Sequence, residues 1–266
     1  MRSVVRDTIL KLAKDNKRFD GRELEEYRKI KIQINPIKNA EGSAYLELGD
    51  TKVLVGVKMD IGQPFPDKPD EGIQIVNAEL TPIADPSYEP GPPTPEAIEL
   101  ARVVDRVLRH GKAIDMKDLV IKEGEKVWKV MIDIYVINND GNLIDASLLA
   151  AMQALKNTYY PIYDEEKDRI LREEGLSDRK LKLLNENLYS ITIAKIGDYL
   201  FLDPVKREEQ VADVILAIGR DKENIYSFQK IKEGLLTKED ILNCIQLSKK
   251  AIMQIEKQKW EKIEWL

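Results

Sequence analysis

Residues 128–155 run from an apolar strand pattern through a short loop into an apolar helix pattern. In such an arrangement the helix N-terminus can hold a phosphate, because its first backbone N–H groups are free. The loop is Asp-Gly-Asn at residues 140–142, which are residue types of a tight bend. An anion site would continue with Gly, Ser, Thr or Arg, but Leu143, Ile144 and Asp145 follow. Two apolar side chains and a carboxylate disfavour phosphate, so the segment predicts an active-site scaffold without its anion-binding chemistry.

A second candidate site consists of four carboxylates between two predicted strands: Asp203, Glu208, Glu209 and Asp213. Paired carboxylates can hold Mg²⁺ or serve as a general acid. Alternatively, they belong to an acidic loop with a structural role, since two basic residues interrupt the group. An acidic loop on its own is weak evidence for chemistry. We therefore predict no catalytic residue and no metal ligand here.

A third candidate is a predicted helix that carries arginines on one side. Residues advance by about 100° each along a helix, so Arg102, Arg106 and Arg109 share one strip. Apolar residues occupy the other side: Ala97, Leu100, Val104, Val107 and Leu108. Three guanidinium groups along two turns can contact successive phosphates of a nucleic-acid backbone.

The alternative interpretation of this strip is a solvent-exposed helix face. Asp105 can pair with Arg109 at i, i+4, and Glu99 can pair with Arg102 at i, i+3. Such pairs are common on exposed helices, so the residues alone favour this alternative. His110 follows the last arginine, where we expect it to interact with the negative end of the helix dipole instead of acting as a base.

The chain contains one histidine and one cysteine, Cys244, which excludes much chemistry. No intrachain disulfide can form, and a zinc site of Cys and His ligands cannot be assembled. We predict no cofactor. The net charge of -5 argues against nucleic-acid binding by the whole surface, although it allows a local basic strip. No apolar run approaches the roughly 18 residues of a membrane span, so we expect no membrane association and a cytoplasmic location.

The elements that position these residues follow a pattern of strands and then helices, twice over. We predict strands at residues 31–37, 43–48, 52–59, 73–80, 128–137, 190–195, 199–202, 211–218 and 225–229. Helices are predicted at residues 4–13, 95–109, 146–157 and from 237, with further helical structure in a charged insertion at 164–187. Ile241, Ile245, Ile252 and Ile255 are expected on the buried side of the last helix. This pattern predicts an α+β fold of two similar halves, residues 1–187 and 188–266.

Several local motifs together resemble the RNase PH family. They are Arg-Phe-Asp-Gly-Arg at 18–22, the hairpin residues 42–44 and 49–53, Glu-Pro-Gly-Pro-Pro at 89–93, the helix residues 99–106, and residues 140–146. Within the family, the combination is similar to the non-catalytic RNase PH-like subunit of the archaeal exosome ring. The resemblance extends over nearly the whole chain.

This resemblance implies a duplicated βαβα fold, like domain 2 of ribosomal protein S5, with helices packed on mixed sheets. It also implies a hexameric ring of three heterodimers, in which this chain pairs with a catalytic RNase PH-like subunit. Single-stranded RNA would enter the ring and be shortened from its 3′ end by inorganic phosphate. Cap subunits with S1 and KH or zinc-ribbon domains would cover one face.

The chain departs from the active branch at the residues that matter for catalysis. Active members have a Gly-Gly-Ser/Thr-Arg type of loop, whereas this chain has Asn142, Leu143 and Ile144. Glu209 and Asp213 match the acidic pair of active members only roughly. The resemblance therefore implies no catalytic residue in this chain.

The arginine strip gains a role from the resemblance, since Arg102 and Arg106 match positions that hold RNA phosphates at the partner's active cleft. We therefore predict RNA binding by Arg102, Arg106 and Arg109. Two rival hypotheses remain. One is an active phosphorolytic exonuclease that uses Asp213 with an unrecognised anion site, and the other is a scaffold subunit without RNA contact.

Overall fold

The computed structural model describes residues 2–263, which form five α-helices and fifteen β-strands. The helices are α1 (Arg2–Lys14), α2 (Pro95–His110), α3 (Leu143–Lys156), α4 (Lys206–Val211) and α5 (Lys238–Lys257). The strands are β1 (Ile30–Ile34), β2 (Gly42–Leu48), β3 (Thr51–Gly62), β4 (Ile73–Leu80), β5 (Val120–Lys122), β6 (Lys126–Asn138), β7 (Tyr159–Pro161), β8 (Tyr163–Asp164), β9 (Arg169–Ile170), β10 (Leu176–Lys180), β11 (Tyr189–Ile196), β12 (Tyr199–Leu202), β13 (Val214–Arg220), β14 (Ile225–Lys230) and β15 (Glu261–Lys262). This content confirms the predicted α+β class.

Seven strands form a large mixed sheet in the order β15-β1-β2-β3-β6-β4, with β5 paired to β6. β2 and β3 make the predicted hairpin, and Gly49 in its turn has a φ of 57° that favours glycine. Buried and half-buried residues alternate along β3, as expected for a strand with one face on the core. β4 pairs with β6 in parallel and forms one edge of the sheet.

Four antiparallel strands form a smaller sheet in the order β12-β11-β13-β14. The predicted hairpin of β11 and β12 turns at Gly197, and β13 and β14 form the second hairpin. β11 and β13 are buried almost throughout, because both faces of this sheet are covered. Ile193 belongs to the main core, whereas Ala194 belongs to a second apolar cluster beneath α1.

Helix α3 lies between the two sheets, since it contacts β2 and β3 on one side and β11 on the other. Eleven of its 14 residues are buried, which confirms the prediction of a central helix. α2 contacts α3, the edge strand β4 and the edge strand β14. It begins at Pro95 after the predicted N-cap, where Thr94 Oγ1 accepts a hydrogen bond from the backbone N–H of Ala97 at 3.3 Å. All five of its predicted core residues are buried.

The two ends of the chain cross between the sheets. α1 packs on the small sheet, where Ile9 and Ala13 join a cluster with Ile196 and Phe201. At the other end, β15 follows α5 and pairs with β1 of the large sheet. The division of the chain at residue 187 stays a prediction, because these crossings tie both halves together.

The charged insertion is not helical, so this part of the prediction is wrong. It contains β8, β9, β10 and one short 3₁₀ turn (Arg172–Glu174). Gly175 in the middle of the insertion has a φ of 87°, which is not helical, and β10 beyond it pairs with β7. Its side chains instead bind neighbouring strands, since Arg172 donates to the carbonyl oxygen of Met59 on β3 at 3.0 Å and Arg179 lies over the ring of Tyr160 on β7 at 4.2 Å.

Three smaller predictions also need correction. Residues 206–211 form α4, so the second hairpin begins at Val214 instead of residue 211, and the four carboxylates do not lie in a plain loop. α3 begins three residues earlier than predicted, at Leu143. On α5, Ile241 is 38% exposed, and the buried face is shifted toward Cys244, Leu247, Ser248, Ala251, Ile252 and Ile255. The N-cap Thr237 and its capping partner Asp240 are confirmed.

Candidate functional site

The loop before α3 adopts the predicted bend, and buried side chains hold its backbone by hydrogen bonds. Gly141 has a φ of 82°, and a Cβ at this position would lie 2.4 Å from the backbone nitrogen of Lys206, so only glycine fits. Thr51 Oγ1 donates to the carbonyl oxygen of Gly141 at 2.7 Å and accepts from the N–H of Asp140 at 3.2 Å. Arg28 donates to the carbonyl oxygens of both loop residues at 3.2 Å. The path of the loop is therefore fixed by buried side chains from the first part of the chain.

Asp203 anchors this support from the second half of the chain. Its carboxylate accepts hydrogen bonds from Arg28 Nη2 at 2.7 Å, Arg22 Nη1 at 3.1 Å and Asn142 Nδ2 at 2.6 Å. Burial opposes ionisation, but the two guanidinium groups outweigh it and lower the pKa of Asp203 to about 2. With its charge balanced and no exposed surface, Asp203 is a structural residue and not a metal ligand or an acid.

Asp145 faces the interior, so the prediction that it repels an anion in the loop is wrong. Thr192 donates to it from both its hydroxyl at 2.8 Å and its backbone N–H at 2.9 Å, and Tyr27 donates at 3.1 Å. Burial raises the pKa of Asp145 to about 7. Because the carboxyl is fully buried, it links α3 to β11. Leu143 and Ile144 line the adjoining cleft, with Leu143 half-buried and Ile144 buried.

A different carboxylate occupies the start of α3. Glu209, on α4, accepts a hydrogen bond from the backbone N–H of Asn142 at 2.8 Å. A helix N-terminus stabilises a negative charge, which is the property that phosphate sites use. Loss of water around the side chain nevertheless dominates and raises the pKa of Glu209 to about 7. The protein thus places its own carboxylate where an anionic ligand would receive N–H groups.

A cleft of about 220 Å³ opens in front of Glu209 and the start of α3. Its described lining residues are Leu80, Tyr88, Glu96, Glu99, Leu100, Asn139, Asn142, Leu143, Ile144, Thr192, Glu209, Ile215 and Ile231. The lining contains three carboxylates and six Leu or Ile residues, and within residues 2–263 it contains no Lys or Arg. Such a lining repels phosphate by charge and does not replace its lost hydration.

The other carboxylates of the predicted acidic group point to different places. Glu208 accepts from buried Arg18, with Nε at 2.9 Å. Asp213 accepts from Arg6 Nη2 at 2.8 Å and from the N–H of Gly197 at 2.7 Å, and these hydrogen bonds lower its pKa. Asp213 is not among the residues that line the cleft. Over the described part of the chain, no three His, Cys, Asp or Glu side chains are grouped as a metal site would require.

The three arginines of α2 share one strip, as predicted, but each is held differently. Arg102 is exposed and has no hydrogen-bond or ion-pair partner in the described chain. Arg106 is half-buried and donates from Nη1 to the side-chain oxygen of Gln229 at 2.7 Å. Arg109 pairs with Asp105 through Nη2 at 2.8 Å and Nε at 3.2 Å. Arg102 and Arg106 therefore have no carboxylate partner in the described chain, whereas the charge of Arg109 is balanced by Asp105.

The predicted pair of Asp105 and Arg109 is confirmed, whereas the predicted pair of Glu99 and Arg102 is wrong. Glu99 instead accepts from the amide nitrogen of Gln229 at 3.3 Å. The exposed ring of His110 places Nδ1 3.4 Å from the carbonyl oxygen of Tyr226. The sequence offered no signal for Gln229, because it lies 123 positions from Arg106 and only the packing of β14 beside α2 joins them.

None of the helices in the described part of the chain has the length and apolar character that a membrane crossing requires.

Two family models match the chain. Residues 26–161 match domain 1 of the 3′ exoribonuclease family, and residues 188–251 match domain 2 of that family. The first match includes β1 to β7 with α2 and α3, and the second includes the small sheet and most of α5.

Curated relatives and solved structures agree with these matches. The Exosome complex component Rrp42 of Archaeoglobus fulgidus is 47% identical over 230 residues, or 85% of this chain and 85% of the relative. The protein of the same name from Thermococcus onnurineus is 45% identical over 251 residues, or 93% of this chain and 91% of the relative. A chain from the structure of the Archaeoglobus fulgidus exosome with RNA bound to the active site has a TM-score of 0.86 at 43% identity, over 96% of this chain and 97% of that chain. This likeness confirms the predicted RNase PH-like fold.

Proposed function

Since the chain belongs to the 3′ exoribonuclease family, we propose that it is a non-catalytic ring subunit of an exosome that degrades RNA from the 3′ end by phosphorolysis. Relatives that are named exosome components and match most of this chain support the complex. The cleft at the start of α3 supports the non-catalytic role, because phosphorolysis needs bound inorganic phosphate and this cleft is lined by carboxylates and apolar side chains.

The contact between Glu209 and Asn142 is the observation that carries this proposal. A phosphate at the start of α3 would have to displace or approach Glu209, which already accepts the N–H of Asn142 at 2.8 Å. The pKa of Glu209 is about 7, so at pH 7 and above it is ionised in half or more of the molecules, and its charge then repels a phosphate strongly in a partly dry cleft. No guanidinium or ammonium group in the described lining offsets this repulsion. The chemistry therefore belongs to a partner.

That partner, in this proposal, is a catalytic RNase PH-like subunit, and three pairs form a hexameric ring with cap subunits that carry S1 and KH or zinc-ribbon domains. The substrate is single-stranded RNA, and the location is the cytoplasm. The contribution of this chain is the arginine strip of α2, Arg102, Arg106 and Arg109, and α2 contacts the edge strands β4 and β14. Arg102 and Arg106 retain charge for RNA phosphates, since no carboxylate in the described part of the chain pairs with them.

Phosphorolysis of poly(A) tests the non-catalytic role directly. The isolated chain, incubated with phosphate and Mg²⁺, should release no nucleoside diphosphate, whereas the chain mixed with a catalytic RNase PH-like partner should release it. The mass of the mixture, measured by light scattering, should correspond to a closed ring of alternating subunits. Sustained release of nucleoside diphosphate by the isolated chain would refute the proposal and favour the active enzyme.

Replacement of Arg102 and Arg106 by Gln in the assembled complex tests the RNA contact. Two lost phosphate contacts should weaken RNA binding by roughly 10- to 100-fold. The slope of the logarithm of the binding constant against the logarithm of the salt concentration should become shallower by about 1.4, or 0.7 for each contact. Arg169→Gln is the matched control, because Arg169 is exposed on β9 and has no ion pair in the described chain. Equal RNA affinity in the double variant, the control and the unmodified complex would favour the scaffold hypothesis.

A further inference from the structure

A chain of three polar side chains joins α2 to the small sheet next to the arginine strip. Arg106 Nη1 donates to Gln229 Oε1 at 2.7 Å, and Gln229 Nε2 donates to Glu99 Oε1 at 3.3 Å. Glu99 and Arg106 both belong to α2, seven residues apart, and Gln229 lies on the edge strand β14. All three side chains are half-buried.

The orientation of the Gln229 amide is dictated by its two neighbours. A guanidinium group can only donate hydrogen bonds, and a carboxylate can only accept them. The amide oxygen must therefore face Arg106 and the amide nitrogen must face Glu99, as observed. This arrangement holds one nitrogen of Arg106 while its remaining N–H groups stay available for a ligand.

Close packing brings β14 within reach of α2. Gly219 on β13 has no Cβ, and one at this position would lie 2.4 Å from Cγ2 of Val107 and 2.4 Å from Oγ of Ser227. The absence of this atom lets the helix approach the sheet one residue beyond Arg106. The backbone thus brings α2 close enough to β14 for the side chains of Arg106 and Gln229 to meet.

The neutrality of Gln229 distinguishes Arg106 from Arg109. Asp105 holds Arg109 with two hydrogen bonds and also cancels its charge. Gln229 holds Arg106 in one place and leaves its charge intact. A guanidinium group that is already held in place loses less conformational entropy on binding a phosphate than one without such a contact in the described chain, such as Arg102.

We propose that Gln229 is a positioning residue for RNA binding, which fixes Arg106 toward the phosphate backbone without neutralising it. This inference rests on the proposed function, since it assigns Gln229 a role only through Arg106. Its ligand is a phosphate of single-stranded RNA, and Glu99 serves to orient the amide.

The test compares RNA affinity and its salt dependence in the reconstituted complex with labelled poly(A). Gln229→Glu places a carboxylate against Arg106, so RNA should bind about 5- to 10-fold more weakly. The slope of the logarithm of the binding constant against the logarithm of the salt concentration should become shallower by about 0.7. Gln229→Leu removes the support but not the charge. It should weaken binding by only about 2- to 4-fold and leave the salt dependence unchanged.

Two further variants separate positioning from a general effect of charge or folding. Gln246→Glu adds the same charge at an exposed site on α5 and should leave RNA binding within about 2-fold of the unmodified complex. Glu99→Gln keeps an oxygen for the Gln229 amide and removes a negative charge, so binding should become slightly tighter. A folding defect would not tighten binding, and thermal unfolding of each variant shows whether the fold is retained.

Combination with Arg106→Gln decides the inference. If Gln229 acts through Arg106, the double variant Gln229→Glu with Arg106→Gln binds RNA no more weakly than Arg106→Gln alone, within about 2-fold. Full additivity of the two losses, or equal effects of Gln229→Glu and Gln246→Glu, would overturn the role of Gln229 while the RNA contact of Arg106 stands. If Arg106→Gln alone leaves RNA affinity unchanged, the contact itself is refuted, and the role of Gln229 is refuted with it.

Discussion

The arginine strip of α2 and the start of α3 are two helix surfaces with opposite preferences for anions. Within residues 2–263, two guanidinium groups of the strip have no carboxylate partner, although its helix also contains acidic residues. The start of α3 has the free N–H groups and dipole of an anion site, but Glu209 from α4 accepts the N–H of Asn142. Each preference is set by side chains that arrive from another part of the chain.

This difference shows that residue type alone does not determine electrostatic availability. Three arginines on one strip are free, held by a neutral amide, or neutralised by an acid. Likewise, the sequence predicted that Asp145 would face the loop, yet Asp145 is buried. The carboxylate that lines the cleft at the start of α3 is that of Glu209. An anion site therefore depends on which partners the fold brings to each charge.

The largest expected effect concerns the buried support beneath the start of α3. Asp203→Ala removes the carboxylate that balances Arg22 and Arg28, both of which are at most 9% exposed. Without Asp203, Arg22 and Arg28 keep only Asp20 and Asp140, which are about one-third exposed, so the loss of their buried partner should cost about 3–5 kcal/mol of the free energy of unfolding. Denaturant unfolding of the isolated chain measures this loss.

The matched control for that change is Asp213→Ala. Asp213 also pairs with an arginine, Arg6, but both side chains are about one-third exposed or more. Its loss should cost less than about 1 kcal/mol. Equal losses in the two variants would mean that the interior cluster does not hold the loop in place.

A smaller effect is expected from Glu209→Gln, which keeps an oxygen for the N–H of Asn142 and removes the charge. The pKa of Glu209 is raised from its ordinary value of 4.5 to about 7. Its folded form therefore holds the proton more tightly, and the protein loses stability as the pH rises from about 4.5 to 7. The variant lacks this loss, so it should match the unmodified protein at pH 4 and be more stable by about 1–3 kcal/mol at pH 8.

Thermal unfolding across this pH range measures the difference between the two proteins. Asp145 also has a raised pKa, but it is present in both and cancels. If the two proteins were equally stable at pH 8, the ionised form of Glu209 would not be destabilised by burial at the cleft. Tighter binding of sulfate by the variant, seen as an ordered ion beside Asn142, would show that Glu209 excludes anions.

The smallest expected effect belongs to Arg109. Because Asp105 already neutralises Arg109, Arg109→Gln should weaken RNA binding by no more than about 2-fold in the assembled complex. Asp105→Asn should free Arg109 and tighten binding slightly. A loss with Arg109→Gln as large as that with Arg106→Gln would remove the distinction drawn between the three arginines.

Elements with strong local signals were predicted well. α2 begins at Pro95 after Thr94, and the hairpins at Gly49 and Gly197 form where glycine permits a positive φ. α4 was missed because it is only six residues long, and the insertion at 164–187 was wrong because charge content indicates exposure but not helix. Local sequence encodes caps and turns, whereas short elements depend on neighbours that are distant in the chain.

Motifs in the sequence indicated the resemblance to the family. The sequence by itself also determined the bend at residues 140–142, the arginine strip and the absence of basic residues at 143–145. These features are local, since they follow from helical periodicity, glycine conformation and the residue types in one segment. Only the tertiary structure decided that Glu209 would meet Asn142, that Asp145 would be buried, and that Gln229 would hold Arg106. Those contacts join residues that are 47 to 123 positions apart, and packing of the two sheets around α2 and α3 brings them together.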